Sequence, residues 1–159
     1  MVNKKQIKQL ISEILNELSL GGAQAESLVY HTGLVESKYQ YLMQVKGPAI
    51  GFFQCETPTA IDICLHYLKY RTELMKKVSE VTMVDLRYFM DPRPEEWRKL
   101  MQYNIALQIA MCRLHYRRVP QALPNNIEEQ ATYWKKHYNT YKGKGSTTHF
   151  LDLVESYGS

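Results

Sequence analysis

A chain of 159 residues suits one compact domain and leaves little room for a second. With 45% hydrophobic and 23% charged residues it has the balance of an ordinary globular protein, which excludes a wholly disordered chain. The formal charge of +4 and the pI near 8.9 make the surface mildly basic, suited to an anionic polymer without choosing among nucleic acid, membrane surface and bacterial wall.

The stretch Met1 to Lys5 is basic, but Gln6, Lys8, Gln9, Ser12 and Glu13 interrupt any apolar core after it, so no signal peptide is expected. No run approaches the roughly 20 apolar residues of a membrane span. Ile7, Leu10, Ile11, Ile14, Leu15 and Leu18 recur at helical spacing, and Gly21-Gly22 stop that helix. A second helical stretch from Ala23 carries Leu28, Val29, Leu34 and Val35 and arrives at Glu36-Ser37. Tyr39, Tyr41, Met43 and Val45 then alternate with Gln40, Leu42, Gln44 and Lys46. With Gly47-Pro48 and the segment Ile50 to Gln54, they predict a small β-like hairpin or an extended loop.

Thr57-Pro58 reads as a helix start, with Thr as cap and Pro at the first helical position, where its missing N–H costs nothing. Ile61, Cys64, Leu65 and Leu68 form its buried stripe, and a short helix is expected from Thr72 to Val81. Asp91-Pro92-Arg93-Pro94 breaks the chain before the longest helical pattern, Glu95 to about Arg118, with Trp97, Leu100, Met101, Ile105, Met111, Cys112 and Leu114 as core. Asn126 and Glu129 form a capping-box pattern opening a helix that holds Ala131, Trp134 and Tyr138. After the loop Lys142 to Gly145, a last helix runs from Ser146 to Tyr157. The expected fold class is mainly α: a single domain over 1–159 with a small β-like hairpin or loop after the helix that ends at Glu36.

Cys55, Cys64 and Cys112 are odd in number and form no CxxC pair, so reduced, semi-buried cysteines are expected rather than a disulfide framework. A nucleophilic Cys55 ahead of the Thr57 helix has no histidine in a recognisable context. The five histidines fall into no HExxH or paired spacing, so no metal site and no cofactor is expected. Arg113, Arg117 and Arg118 with Tyr116 could bind nucleic acid, but the solvated end of a long helix is the preferred reading, and no nucleic-acid partner is expected. Glu36 is the carboxyl with chemical promise. Glycoside cleavage needs an acid that stays protonated near neutral pH, and an apolar setting such as Leu34-Val35 raises a glutamate's pKa. The Tyr-, Phe- and Gln-rich loop after it could stack on sugar rings and hydrogen-bond to acetamido groups. A glutamate at a helix end is also, as a rule, a solvated residue, and these residues alone leave that reading open.

An ordered set of short motifs adds to this. Glu36-Ser37, then Gly51-Phe52-Phe53-Gln54, then Pro58-x-Ala60 resembles the lytic transglycosylase and goose-type lysozyme superfamily, in which a Glu-Ser helix end is followed by a Gly-Leu-Met-Gln segment and a Pro-x-Thr-Ala helix. Asn104-Ile105, heading an apolar helix, is similar to that family's Asn-Ile/Leu helix, and Tyr138-Asn139 after Ala131 and Trp134 to its Ala-Tyr-Asn-Ala-Gly segment. The run from Gly47 to Glu56 is closer still to short phage-encoded members. The resemblance covers roughly Gln24 to Leu151, with Phe52-Phe53 in place of Leu-Met and Thr140 where a small residue is usual.

The resemblance implies an α+β lysozyme-like domain that cleaves the MurNAc–GlcNAc β-1,4 bond of peptidoglycan glycan strands. Glu36 would be general acid and then general base. Ser37 would steady Glu36 or bind substrate, Phe53 and Gln54 would line the cleft, and Tyr138 and Asn139 would face Glu36 from the opposite wall; Asn104 would be a structural anchor. Such an enzyme, without a signal peptide, would be carried in a phage virion with other virion proteins, or wait in the host cytoplasm for release to the cell wall. Glu56 keeps two readings: a cleft carboxylate, which would allow hydrolytic lysozyme chemistry with Glu36, or a first-turn acid at the next helix. Asp62 is expected to be solvated. A non-catalytic wall-binding or virion structural module is the alternative of a different class.

Overall fold

The computed structural model of the protein describes residues 2–140 and 143–158; Met1 and Lys142, placed above in the basic N-terminus and in the loop before the last helix, lie outside the described residues. The described chain is mainly helical. Its α-helices are α1 (Lys4–Glu17), α2 (Ala23–Ser37), α3 (Thr57–His66), α4 (Thr72–Thr82), α5 (Leu86–Met90), α6 (Pro94–Tyr103), α7 (Ile105–Arg117), α8 (Ile127–Trp134) and α9 (Thr147–Tyr157). A two-stranded antiparallel ladder, β1 (Ala49–Ile50) and β2 (Cys55–Glu56), lies between α2 and α3.

The central element is α7, in which every residue from Leu107 to Leu114 is buried. A helix apolar all round belongs inside, and α1, α2, α3, α4 and α6 all pack against this one. One hydrophobic core runs from Ile7 to Val154 around it. The caps follow the sequence where short polar residues were available. The Asn3 side chain accepts from the Gln6 N–H at 3.2 Å, and that of Asn126 from the Glu129 N–H at 2.8 Å. Glu129 returns a bond to the Asn125 N–H at 2.8 Å, one residue earlier than a standard capping box.

Several expectations need correction. The pattern from Glu95 to Arg118 is two helices. Asn104 is extended between them, its Oδ1 accepting from the Leu107 N–H at 2.9 Å and its Nδ2 donating to the Thr82 carbonyl at 2.9 Å. The apolar spacing continues across the break and hides it, while the Asn side chain competes with the helical ladder for backbone groups. Thr57 is already helical: Glu56 occupies the cap position without a side-chain cap bond, because the β ladder runs up to it. The alternating stretch from Tyr39 to Lys46 forms one isolated bridge, Met43 to Ile50, and is otherwise irregular; the ladder pairs Ala49 with Glu56 and Ile50 with Cys55. The short helix α5 had no separate signal. Its end is fixed by packing, with Phe89 edge-on to Trp97 and the Trp97 Nε1–H donating to the Tyr88 carbonyl at 2.8 Å.

One side chain of the central helix sets the hairpin in place. Gln108 of α7 accepts from the Phe52 N–H at 3.0 Å and donates to the Met101 carbonyl at 2.7 Å, tying the hairpin turn to the end of α6. Gly51 there has φ +80°, and a Cβ would lie 2.7 Å from Gln108 Cδ, so the turn needs glycine for both reasons.

Candidate active site

Glu36 sits in the last turn of α2, and the end of that helix is built to turn the chain sharply beneath it. Lys38 and Tyr39 both take left-handed backbone conformations, with φ of 53° and 54°. Such residues cost on the order of 1 kcal/mol each unless their surroundings hold them. Ser37 and Tyr39 supply the hold. The Ser37 hydroxyl donates to the Gly33 carbonyl at 3.1 Å and accepts from the Tyr39 N–H at 3.0 Å. The Tyr39 hydroxyl donates to the Tyr30 carbonyl at 2.6 Å, and its buried ring lies against the backbone of Gly33, where a Cβ would collide with it. Phe52 and Phe53 pack edge-on against the same ring.

Above this base lies a cleft of about 410 Å³. Its walls include Glu36 from α2, Gln54 from the hairpin turn, Glu56 and Thr59 at the start of α3, His115 from α7, and Tyr138 and Asn139 from the segment after α8. Sequence positions more than 100 residues apart thus meet in one concavity. Non-glycine residues with positive φ occur on two of its walls, Gln54 at 50° and Thr140 at 67°. Strained backbone of this kind collects where geometry is held for a purpose other than stability.

The Glu36 carboxyl is half-buried and has one protein partner, the Trp134 Nε1–H, at 3.4 Å from Oε2. Burial pushes its pKa up from 4.5 to about 7, and the Trp134 bond pulls only weakly the other way. A 3.4 Å bond is long for N–H···O, so the loss of hydration wins. Near neutral pH the group is therefore divided between acid and carboxylate.

The opposite wall is set by a change of helical pitch. After α8 the backbone widens into a π-turn over Lys135–Asn139, where the Thr140 N–H donates to the Lys135 carbonyl at 2.8 Å. This swings Tyr138 and Asn139 toward the hairpin. The Tyr138 hydroxyl donates to the Phe53 carbonyl at 2.6 Å, and its ring stacks on Tyr116 at 5.2 Å and lies 4.6 Å from that of His115. Asn139 Oδ1 accepts from Lys135 Nζ at 2.7 Å.

Glu36, Gln54, Glu56, Tyr138 and Asn139 are thus brought together. Ser37 and Phe53 are not: Ser37 is buried with both hydroxyl functions spent on backbone, and the Phe53 ring is in the core while only its carbonyl reaches Tyr138. Glu56 lies on the cleft wall; it is also the exposed cap residue of α3, one position before the first turn in which it was expected, because the β ladder runs up to it. Asp62 is half-exposed, ion-paired to Arg118 at 2.6 Å and in hydrogen-bond contact with His66 Nδ1 at 2.9 Å. Cys55 lines the cleft floor as a buried free thiol pushed up to about 12 by burial, which removes it as a nucleophile.

Two cleft residues, Gln44 and His115, and the buried partner of Glu36, Trp134, are not singled out by the sequence. Gln44 accepts from the Ala49 N–H at 3.1 Å; the Gln-rich loop as a whole is expected to meet sugars, but nothing in the sequence singles out this glutamine. Trp134 was read as core, although its spacing of four from Tyr138 puts both on neighbouring faces of one helical segment. His115 had no motif. Its Nε2 faces the His137 carbonyl at 2.9 Å and so carries the proton, burial lowers its pKa to about 4, and its buried Nδ1 has no protein partner. The site therefore holds a neutral imidazole beside an acid of near-neutral pKa.

No protein-family model matches the chain, and no curated protein or solved structure matches it. Among the described residues, no helix is long and apolar enough to cross a membrane.

Proposed function

We propose that this protein is a peptidoglycan-cleaving muramidase of the lytic transglycosylase type, with Glu36 as its acid and base. The observation that carries the reading is the Glu36 carboxyl, held at a pKa of about 7 in a cleft walled by amide and aromatic side chains. In its protonated form Glu36 gives its proton to the glycosidic oxygen as the bond from the MurNAc anomeric carbon breaks. The carboxylate left behind then takes the proton of the MurNAc C6 hydroxyl as that oxygen bonds to the anomeric carbon, leaving a 1,6-anhydro end. One carboxyl serves both half-reactions. Gln54 and Asn139 supply amides to the acetamido and hydroxyl groups of the glycan, and the Tyr138 ring a stacking face.

A second reading is favoured by one feature, the presence of Glu56 on the same cleft wall. With a second carboxylate near the reacting bond, water could replace the C6 hydroxyl and the enzyme would be a lysozyme. In either case the substrate is the glycan strand of the bacterial wall, and the setting is a phage that carries the protein in its virion or releases it from the infected cell. The test is mass spectrometry of muropeptides released from purified peptidoglycan, with Glu36→Gln alongside. Anhydro-muramyl ends, formed by the native protein only, support the transglycosylase. Reducing ends assign the lysozyme reading, and equal release by the variant removes Glu36 from the mechanism. Binding without release by either protein identifies a wall-binding module.

A further inference from the structure

The larger of the cavities around α7 is not the cleft. It encloses about 660 Å³ and shares no lining residue with it. Four arginines reach its wall: Arg71 from the start of α4, and Arg113, Arg117 and Arg118 from the end of α7. Arg118 is neutralised by Asp62. Among the described residues, Arg71, Arg113 and Arg117 have no carboxylate partner.

Arg113 makes this more than a basic surface. It is only 7% exposed, which corrects the expectation of a solvated helix end. Its Nε donates to the Leu20 carbonyl at 2.9 Å, while Nη1 is buried with no partner at all. A guanidinium cannot escape burial by losing its proton, as its pKa stays far above neutrality. Burial and the neighbouring Arg117 both push that pKa downward, which means the cation is uncompensated where it stands. Arg71 is fixed too, its guanidinium 3.8 Å above the centre of the Tyr67 ring with Nη1 donating to the Tyr67 carbonyl at 3.1 Å. The negative end of α7 contributes about half a charge nearby, too little to balance three guanidinium groups.

We propose that this cavity binds a dianionic phosphate group, either as the free ion or as the phosphomonoester of a small molecule. A single carboxylate is matched by one forked guanidinium; three unpaired ones call for an anion with several acceptor oxygens and more than one charge. The shape is a concavity closed by the rings of Tyr67, Tyr116 and Tyr133, unlike the extended stripe that tracks a nucleic-acid backbone. The Tyr67 ring carries Arg71 on its face and the Tyr116 ring is stacked on Tyr138, so the tyrosines form a fixed wall behind the guanidinium groups. The site is independent of the reading given to the cleft.

The test is thermal unfolding and calorimetric titration of the native protein at low ionic strength with inorganic phosphate, glucose 6-phosphate, acetate and a short single-stranded oligonucleotide. Arg117→Ala and Arg71→Ala are exposed changes that leave the core intact, and each should weaken phosphate binding about tenfold. Stabilisation by phosphate but not acetate, reduced in both variants, supports the site. A similar affinity for phosphate and glucose 6-phosphate then assigns the free ion, and a tighter glucose 6-phosphate assigns a phosphomonoester. Equal binding of acetate and phosphate overturns the proposal. So does unchanged affinity in both variants, or a response to the oligonucleotide alone.

Discussion

Glu36 and Arg113 stand on the walls of two cavities, and burial acts on both against their charge, yet the outcomes differ in kind. The glutamate's pKa rises to about 7, so it can meet the cost of burial by holding a proton at neutral pH. Burial lowers the arginine's pKa from its ordinary value, yet the group remains charged at any pH the folded protein meets. One group can thus hold a proton at neutral pH, while the other stays a fixed cation. The difference comes from the distance between each group's ordinary pKa and neutrality, rather than from the depth of burial.

The comparison can be broken most directly at Glu36. Replacement by Gln keeps the shape and removes the proton, and release of muropeptides should fall by about 10²–10⁴-fold or more. Full activity in that variant would leave the cleft without its acid. The same substitution bears on stability through linkage. Because burial raises the folded pKa of Glu36 from 4.5 to about 7, its contribution is intact below pH 4.5 and is lost as pH climbs through about 7, on the order of 3 kcal/mol in all. Glu36→Gln should therefore match the native protein in denaturant titrations at pH 4 and exceed it at pH 8. Arg113→Met, by contrast, should shift stability by the same amount at both pH values; a pH-dependent difference there would mean that the guanidinium is not the fixed charge described.

Smaller changes sharpen how the acid is held. Gly33→Ala places a methyl group against the buried Tyr39 ring beneath Glu36, and should cost about 1–3 kcal/mol in a denaturant midpoint series. Tyr138→Phe removes the bond to the Phe53 carbonyl that joins the π-turn to the hairpin, a loss of about 1 kcal/mol with a larger proportional effect on turnover than on melting. The smallest effect belongs to Trp134→Phe. Without the indole N–H the Glu36 pKa should rise a little further, moving the alkaline limb of the pH–rate profile upward by less than about one unit; a downward shift would contradict the electrostatics of the cleft.

Much of the helical frame could be read from the sequence because it depends on local rules. The stripe from Ile7 to Leu18, the Asn126 cap and the break at Asp91-Pro92-Arg93-Pro94 each lie within a few residues of the feature they control. The break at Asn104 does not show in the apolar spacing, which continues across it; only the resemblance puts Asn104-Ile105 at the head of a helix, and the bond that fixes Asn104 from outside, to the Thr82 carbonyl, lies 22 residues away. Ser37 and Phe53 were placed in the site by motif position, but a motif carries no information on which way a side chain turns. Here left-handed backbone at Lys38 and Tyr39 draws one inward, and the Tyr39 ring gathers the other.

The sequence by itself determined a mainly helical chain, most helix limits, and Glu36 as the carboxyl worth testing, since periodicity, caps and motif order are properties of neighbouring residues. Only the tertiary structure decided that Trp134, His115 and the π-turn at Tyr138 enclose that carboxyl, and that Arg113 is buried rather than solvated. A pKa depends on the water and charge within a few ångströms of the group, and those surroundings come from segments that only folding brings together.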